Sequence, residues 1–166
     1  MEQTSANQYL HEVGITAIII KDGKYLITQR AMNKKRFPGM WTVPGGRMET
    51  SDYLQLPKDT EHYWYNVLER TLRREVKEEV GLEIINIQYL TSLARVHEDG
   101  SPSLLISCVA DWLSGEVKLQ AEEAMDFAWV TVEQAKDYQL IDGIYDELVM
   151  AQKKQQGQTA EWRRAG

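Results

Sequence analysis

The chain carries one cysteine in 166 residues, Cys108, which excludes an internal disulfide. That cysteine sits in Leu-Leu-Ile-Ser-Cys-Val-Ala, the setting of a small buried strand residue rather than of a nucleophile. So little cysteine fits a reducing, cytoplasmic compartment. Positive charge is also in short supply. With 19 Lys and Arg against 25 Asp and Glu, the formal net charge is −6, which argues against broad binding to nucleic acid or to an anionic membrane surface. Small phosphates stay within reach, because a bound metal ion inverts the sign locally. No apolar run approaches the ~18 residues of a membrane span, and residues 1–12 lack the basic-then-apolar order of a signal peptide. The three histidines, His11, His62 and His97, are scattered. A metal site here is therefore all-oxygen, which favours Mg²⁺ or Mn²⁺ over Zn²⁺. There is no internal repeat, no helix-turn-helix pattern and no basic tail.

What is present is a dense run of acid. Residues 74–82 read Arg-Glu-Val-Lys-Glu-Glu-Val-Gly-Leu, with Glu75, Glu78 and Glu79 inside five positions. At ~100° per residue these three carboxylates share one helical sector. Glu75 and Glu79, four apart, repel each other across ~5–6 Å. A hard divalent cation would offset that repulsion. Leu68, Leu72, Val76 and Val80 form an adjoining apolar stripe that docks the helix on a core, and Gly81 ends it.

The length suggests one domain over residues 1–166, with a core at about 11–152 and flexible polar ends at 1–8 and 155–166. Residues 13–20 and 24–29, joined by Lys21-Asp22-Gly23, read as a hairpin. Residues 37–49 are rich in Gly and Pro and read as a loop with a short strand near Trp41. One long helix is expected over residues 61–80, capped by Asp59 or Thr60. Strands are expected at 83–96, 104–112 and 127–130, with a short edge strand at 116–119. Helices are expected from Thr131 and from Gly143, the second with Ile144, Leu148 and Ala151 on one side. This order gives an α+β class, an α/β/α sandwich with a mixed parallel and antiparallel sheet between helices.

With Pro44-Gly45-Gly46 and Glu49 placed upstream of the acidic run, the pattern resembles the Nudix hydrolase family. That signature is Gly, five residues, Glu, seven residues, then Arg-Glu-apolar-x-Glu-Glu-x-Gly-apolar. Arg74, Glu75, Val76, Glu78, Glu79, Gly81 and Leu82 match its second half at every fixed position. In the first half, Gly46 plus five residues lands on Asp52 where the family has Glu, and 21 residues separate Asp52 from Arg74 instead of seven. The resemblance implies the family fold and a divalent-metal-dependent hydrolase. Its bond would be a phosphoanhydride in a nucleoside diphosphate linked to a second group X, released as nucleoside monophosphate and phosphorylated X. The alternatives are a nucleoside triphosphate pyrophosphohydrolase and a non-catalytic nucleotide sensor.

By the same resemblance, Glu75 and Glu79 are metal ligands, Glu78 is a third ligand or its support, and the Gly46 region offers a backbone carbonyl. Arg74 orients the glutamates through an ion pair, with Glu49 as a partner. The general base is Glu75 or a later-loop carboxylate, Glu122 or Glu123. Arg30, ending the strand in Gln-Arg, is a phosphate contact, with Arg95 and Lys34 as weaker candidates of the same kind. Trp41, Phe37 and Trp129 are candidates for stacking a base. The insertion at 53–65 is expected to extend the catalytic helix and to wall the substrate pocket or form a homodimer contact.

Overall fold

The computed structural model describes residues 9–164. The expected frayed segment 1–8 lies outside the described residues. Seven strands form one sheet: β1 (Glu12–Lys21), β2 (Lys24–Arg30), β3 (Trp41–Thr42), β4 (Gly45–Arg47), β5 (Glu83–Val96), β6 (Pro102–Ser114) and β7 (Ala124–Val130). The main path runs β3-β2-β1-β6-β5, with β4 on β1 and β7 on β2. β1 and β6 are parallel, and the other pairings are antiparallel. Helix α1 (Val67–Val80) packs one face through Leu72, Val76 and Val80 against Ile15, Ala17, Ile19 and Leu26. Helices α2 (Val132–Ala135) and α3 (Ile144–Gln155) pack the other through Ala135, Leu148 and Ala151 against Ile18, Ile27 and Val109. The mixed sheet between helices is the α+β sandwich that the element order implies. Cys108 is buried on β6.

One departure from a continuous sheet makes the site. β1 and β2 pair only beside their hairpin turn, at Ile20↔Tyr25 and Lys21↔Lys24. Beyond that point β2 leaves β1 for β3 and β7. The freed edge of β1 takes β4 instead, with Gly14↔Arg47, Ile15↔Gly46 and Thr16↔Gly45. The sheet is thus split at β1, and a glycine strand enters the split. Only glycine permits this approach, since a Cβ on Gly45 would collide with the β1 backbone at Ile15 and Thr16.

Four expectations about elements need correction. The helix begins at Val67, not at 61, because Asn66 holds a left-handed backbone (φ 55°) that no helix continues through. Asp59 and Thr60 cap no helix. They accept the backbone N–H groups of Tyr65 (2.8 Å) and Tyr63 (3.1 Å) and fold the insertion into local turns. The insertion therefore does not extend the catalytic helix. Segment 116–119 forms no strand. Its neighbourhood caps α1 instead, the N–H groups of Lys118 and Gln120 donating to the carbonyls of Val80 and Glu79 at 2.9 Å. The expected free tail is also partly tied down. Ala160 packs on the core beside α3, and the Trp162 indole N–H reaches Asp146 on that helix at 3.5 Å.

Candidate active site

The docked stripe of α1 fixes where its acids stand. Val76 and Val80 are fully buried, so Glu75 and Glu79, one position before each, lie at the helix edge next to the glycine strand. Glu79 accepts the Gly45 N–H at 3.0 Å. A Cβ on Gly46 would fall on the Glu75 carboxyl, so the Gly45-Gly46 backbone lies flush against both acids. Burial drives the pKa of Glu79 up to about 8, with the Glu75 and Glu123 charges adding to the shift and the Gly45 N–H opposing it. Burial also raises Glu75, against the pull of Arg74. Glu78 faces outward, 53% exposed, and pairs with Arg74 at 3.1 Å.

Arg74 is the centre of a second cluster. Its guanidinium meets Asp52 at 2.5 Å, Glu75 at 2.9 Å and Glu78 at 3.1 Å, and donates to the Arg47 carbonyl at 3.2 Å. The expected partner Glu49 is not among these groups, because its carboxylate accepts the Ser51 hydroxyl and stays exposed. Asp52, with its side chain 2% exposed, takes that place. It also accepts the Thr71 hydroxyl at 2.8 Å and the Glu49 N–H at 2.9 Å. These bonds, the Arg74 one foremost, lower its pKa to about 2. The acid at the signature position is therefore the partner of Arg74. The insertion leaves from Asp52 and returns to α1, which Asp52 grips through Thr71 and Arg74.

A cavity of about 270 Å³ opens at the split. Its lining includes Glu79, Gly45, Gly46, Arg30 and Glu123 together with Leu93, Leu105, Ile144 and Glu147. Arg30 is drawn in by the Glu79 and Glu123 charges although burial lowers its pKa, and its Nε donates to the Arg36 carbonyl at 2.9 Å. Glu123 lines the cavity and pairs with Lys34, whereas Glu122 is exposed and outside the lining. Arg95 stacks over Phe37 at 4.9 Å, and both line the cavity. Trp41 and Trp129 do not: Trp41 meets Tyr138 edge-on at 4.7 Å, and Trp129 packs on the α1 side of the sheet. No residue of the insertion lines the cavity, so the insertion does not wall this pocket. Its rings turn to each other, with Tyr53 on Trp64 at 5.3 Å, and the Trp64 indole donates to the Leu56 carbonyl.

The comparisons with known proteins decide the family. The NUDIX domain model matches residues 10–150. The chain belongs to the NUDIX family. It is a Nudix-type pyrophosphohydrolase. A relative, the nucleoside triphosphatase NudI of Escherichia coli, is 28% identical over 142 residues, covering 76% of this chain and 86% of its own length. The MutT NUDIX hydrolase from Burkholderia pseudomallei superposes with a TM-score of 0.67 at 21% identity, covering 84% of this chain and 97% of that one. The NUDIX domain of Shewanella oneidensis NrtR, complexed with ADP ribose, gives 0.64 at 17% identity and covers 94% of each chain. These two likenesses are of fold.

The donor set fits a hard divalent cation. Two half-buried carboxylates, of which Glu79 forms no salt bridge among the described residues, adjoin a backbone that only glycine permits. Oxygen is the sole donor type, as such an ion requires. Among the described residues no three acidic, His or Cys side chains already converge at ligand distance. Arg74 holds Glu78 and part of Glu75, while Gly45 holds Glu79. No helix among the described residues is long and apolar enough to cross a membrane.

Proposed function

We propose that the chain hydrolyses a phosphoanhydride in a nucleoside diphosphate linked to a group X, giving nucleoside monophosphate and phosphorylated X. The observation carrying this reading is that Glu79 and Arg30 line the same cavity as the apolar side chains Val43, Leu93, Leu105 and Ile144. Such a cavity suits a ligand charged at one end and apolar at the other. Glu75 and Glu79 would hold Mg²⁺ or Mn²⁺, with the Gly46 carbonyl and Glu78 completing the set. When bound, that ion supplies charge neutralisation on the phosphates and a more acidic water. Arg74 keeps Glu75 and Glu78 oriented through its pair with Asp52. Arg30 binds a phosphate oxygen with its fork. Glu123 takes the proton of the attacking water, as the later-loop acid that enters the cavity. The water oxygen bonds to one phosphorus, and the bridging P–O bond breaks as the phosphate of X leaves. The ADP ribose bound by the NrtR domain is of this substrate class.

The name of the NudI relative supports a second reading, cleavage of nucleoside triphosphates to monophosphate and pyrophosphate. A panel of ADP-ribose, nucleotide sugars, dinucleoside polyphosphates and nucleoside triphosphates, assayed with Mg²⁺ or Mn²⁺ and chromatography of both products, separates them. Monophosphate with phosphorylated X upholds the proposal, and monophosphate with pyrophosphate replaces it. Binding without turnover of any member points to a sensor.

A further inference from the structure

The cavity lining includes an acid that the reaction above does not use. Glu147 belongs to the buried face of α3, between Ile144 and Leu148, and is 5% exposed. It lines the cavity together with Val43, Leu93, Leu105 and Ile144. A carboxyl in such a place ordinarily has a cation or several hydrogen bonds. Here its surroundings are burial, the Ser107 hydroxyl and the like charge of Asp146, and burial outweighs Ser107 so that its pKa is raised. Ser107 itself is fully buried, and its Oγ finds no hydrogen bond of standard geometry. An underbonded carboxyl thus lines the same cavity as Glu79 and Arg30, and structure alone does not require it there. A ligand donor would complete both.

We infer that Glu147 is the specificity-determining residue of this cavity, accepting an N–H from the exocyclic amine of the substrate's base. Amino-bearing bases are thereby favoured over bases with a keto oxygen at that edge. The inference rests on the nucleotide reading above. An ionised carboxylate offers acceptors only. A base amine satisfies one of them and offsets the desolvation of Glu147, whereas a keto oxygen sets acceptor against acceptor in a buried site. Polar side chains such as Arg95, His97 and Asp142 share the lining, and Glu147 is the one buried carboxyl among the lining residues, which makes it the group where amine discrimination arises.

The test compares bases that differ in this one group: cytidine against uridine and adenosine against inosine. Diphosphates are titrated calorimetrically, and triphosphates and X-linked forms are assayed for turnover with Mg²⁺. The amino member of each pair is expected to win by about tenfold or more, the ratio corresponding to one net hydrogen bond to a charged group. Glu147→Gln, which turns an N–H toward the base, is expected to erase or reverse that order, and Glu147→Asp to shrink it. If the Gln variant fails to fold, the Asp variant carries the comparison. Turnover without amine preference in the wild type overturns the inference and leaves the hydrolytic reading intact. A preference that survives in the folded variants assigns the reading to another residue and also overturns it. Amine preference in binding without turnover of any nucleotide sustains the inference and removes the proposed substrate class instead. An absence of both binding and turnover removes both.

Discussion

Two acids, one beside α1 and one on it, are shielded by the same fold and held in opposite ways. Asp52 has a guanidinium at 2.5 Å, a hydroxyl and a backbone N–H, and its pKa falls to about 2. Glu79 has one backbone N–H and two neighbouring negative charges, and its pKa rises to about 8. The difference lies in what dominates at each: the Arg74 hydrogen bond at Asp52, and burial at Glu79. Asp52 is a finished contact whose work is to place Arg74. Glu79 is an unfinished one, ready for a cation from solution. A group of the first kind stabilises the fold, and a group of the second kind costs stability until its ligand arrives.

The largest expected effect breaks the unfinished side. Glu79→Gln keeps the shape and the reach to the Gly45 N–H while removing the charge. Activity should fall by about 10³-fold or more, the scale of losing one electrostatic group that a charged transition state depends on. The metal-free protein should melt no lower than the wild type, since a buried charge without a cation is relieved. A fully active Glu79→Gln protein would overturn the metal assignment.

Next comes the finished side. Arg74→Met leaves Asp52 and Glu75 buried without their cation, and should cost about 3 kcal/mol of stability by denaturant titration. Activity should drop together with stability because Glu75 loses its orientation. Raised metal concentration should recover part of the activity and not the fold. A variant that loses activity at unchanged stability would make Arg74 a substrate contact and not a positioning residue.

The two sides also carry opposite signs against pH. Asp52 is depressed from 3.8 to about 2 in the folded chain. Its contribution of about 2 kcal/mol is therefore complete above pH ~4 and is lost as pH falls toward 2. Glu79 is raised from 4.5 to about 8. Its neutral form favours the fold, so the metal-free protein should lose stability as pH rises from ~4.5 through 8. Thermal melts in chelator across pH 3–9 should show both arms. Added Mg²⁺ should raise the melting temperature most on the alkaline side, and Glu79→Gln should flatten that arm alone.

This contrast also marks what the sequence could disclose. The spacing against the Leu72–Val76–Val80 stripe places Glu75 and Glu79 at the edge of the docked face, because helical geometry is local, whereas Glu78 turns outward. Position Asp52 was marked by its distance from Gly46, yet its bond to Arg74 spans 22 positions and depends on how the insertion closes. The helix start was misplaced for a related reason: residues 61–66 read as helix-compatible, but Asn66 turns left-handed and local side-chain bonds hold the aromatic run in turns. The split between β1 and β2 was illegible, since the hairpin signal at Asp22-Gly23 fixes only the pairs beside the turn. Glu147 did leave a signal, an acid on the apolar face of α3 beside Ile144, Leu148 and Ala151. Reading it required knowing that a cavity, and not solvent, faces that helix.

The finest test of the comparison sits in the loop between β6 and β7. Glu122 and Glu123 are adjacent and chemically identical, so sequence alone offers no way to choose between them. The structure turns Glu123 into the cavity, where its charge bears on both Arg30 and Glu79, and leaves Glu122 exposed. Glu123→Gln should lower kcat by about 10²-fold, the low end of what a general base contributes, and should weaken the pull on Arg30. Glu122→Gln should leave kcat and KM unchanged, because an exposed charge outside the cavity is screened by water and salt. Equal losses in the two variants would mean that the loop acts through its net charge. A loss in Glu122→Gln alone would mean that the loop turns over when substrate binds, and the base would then be assigned to Glu122.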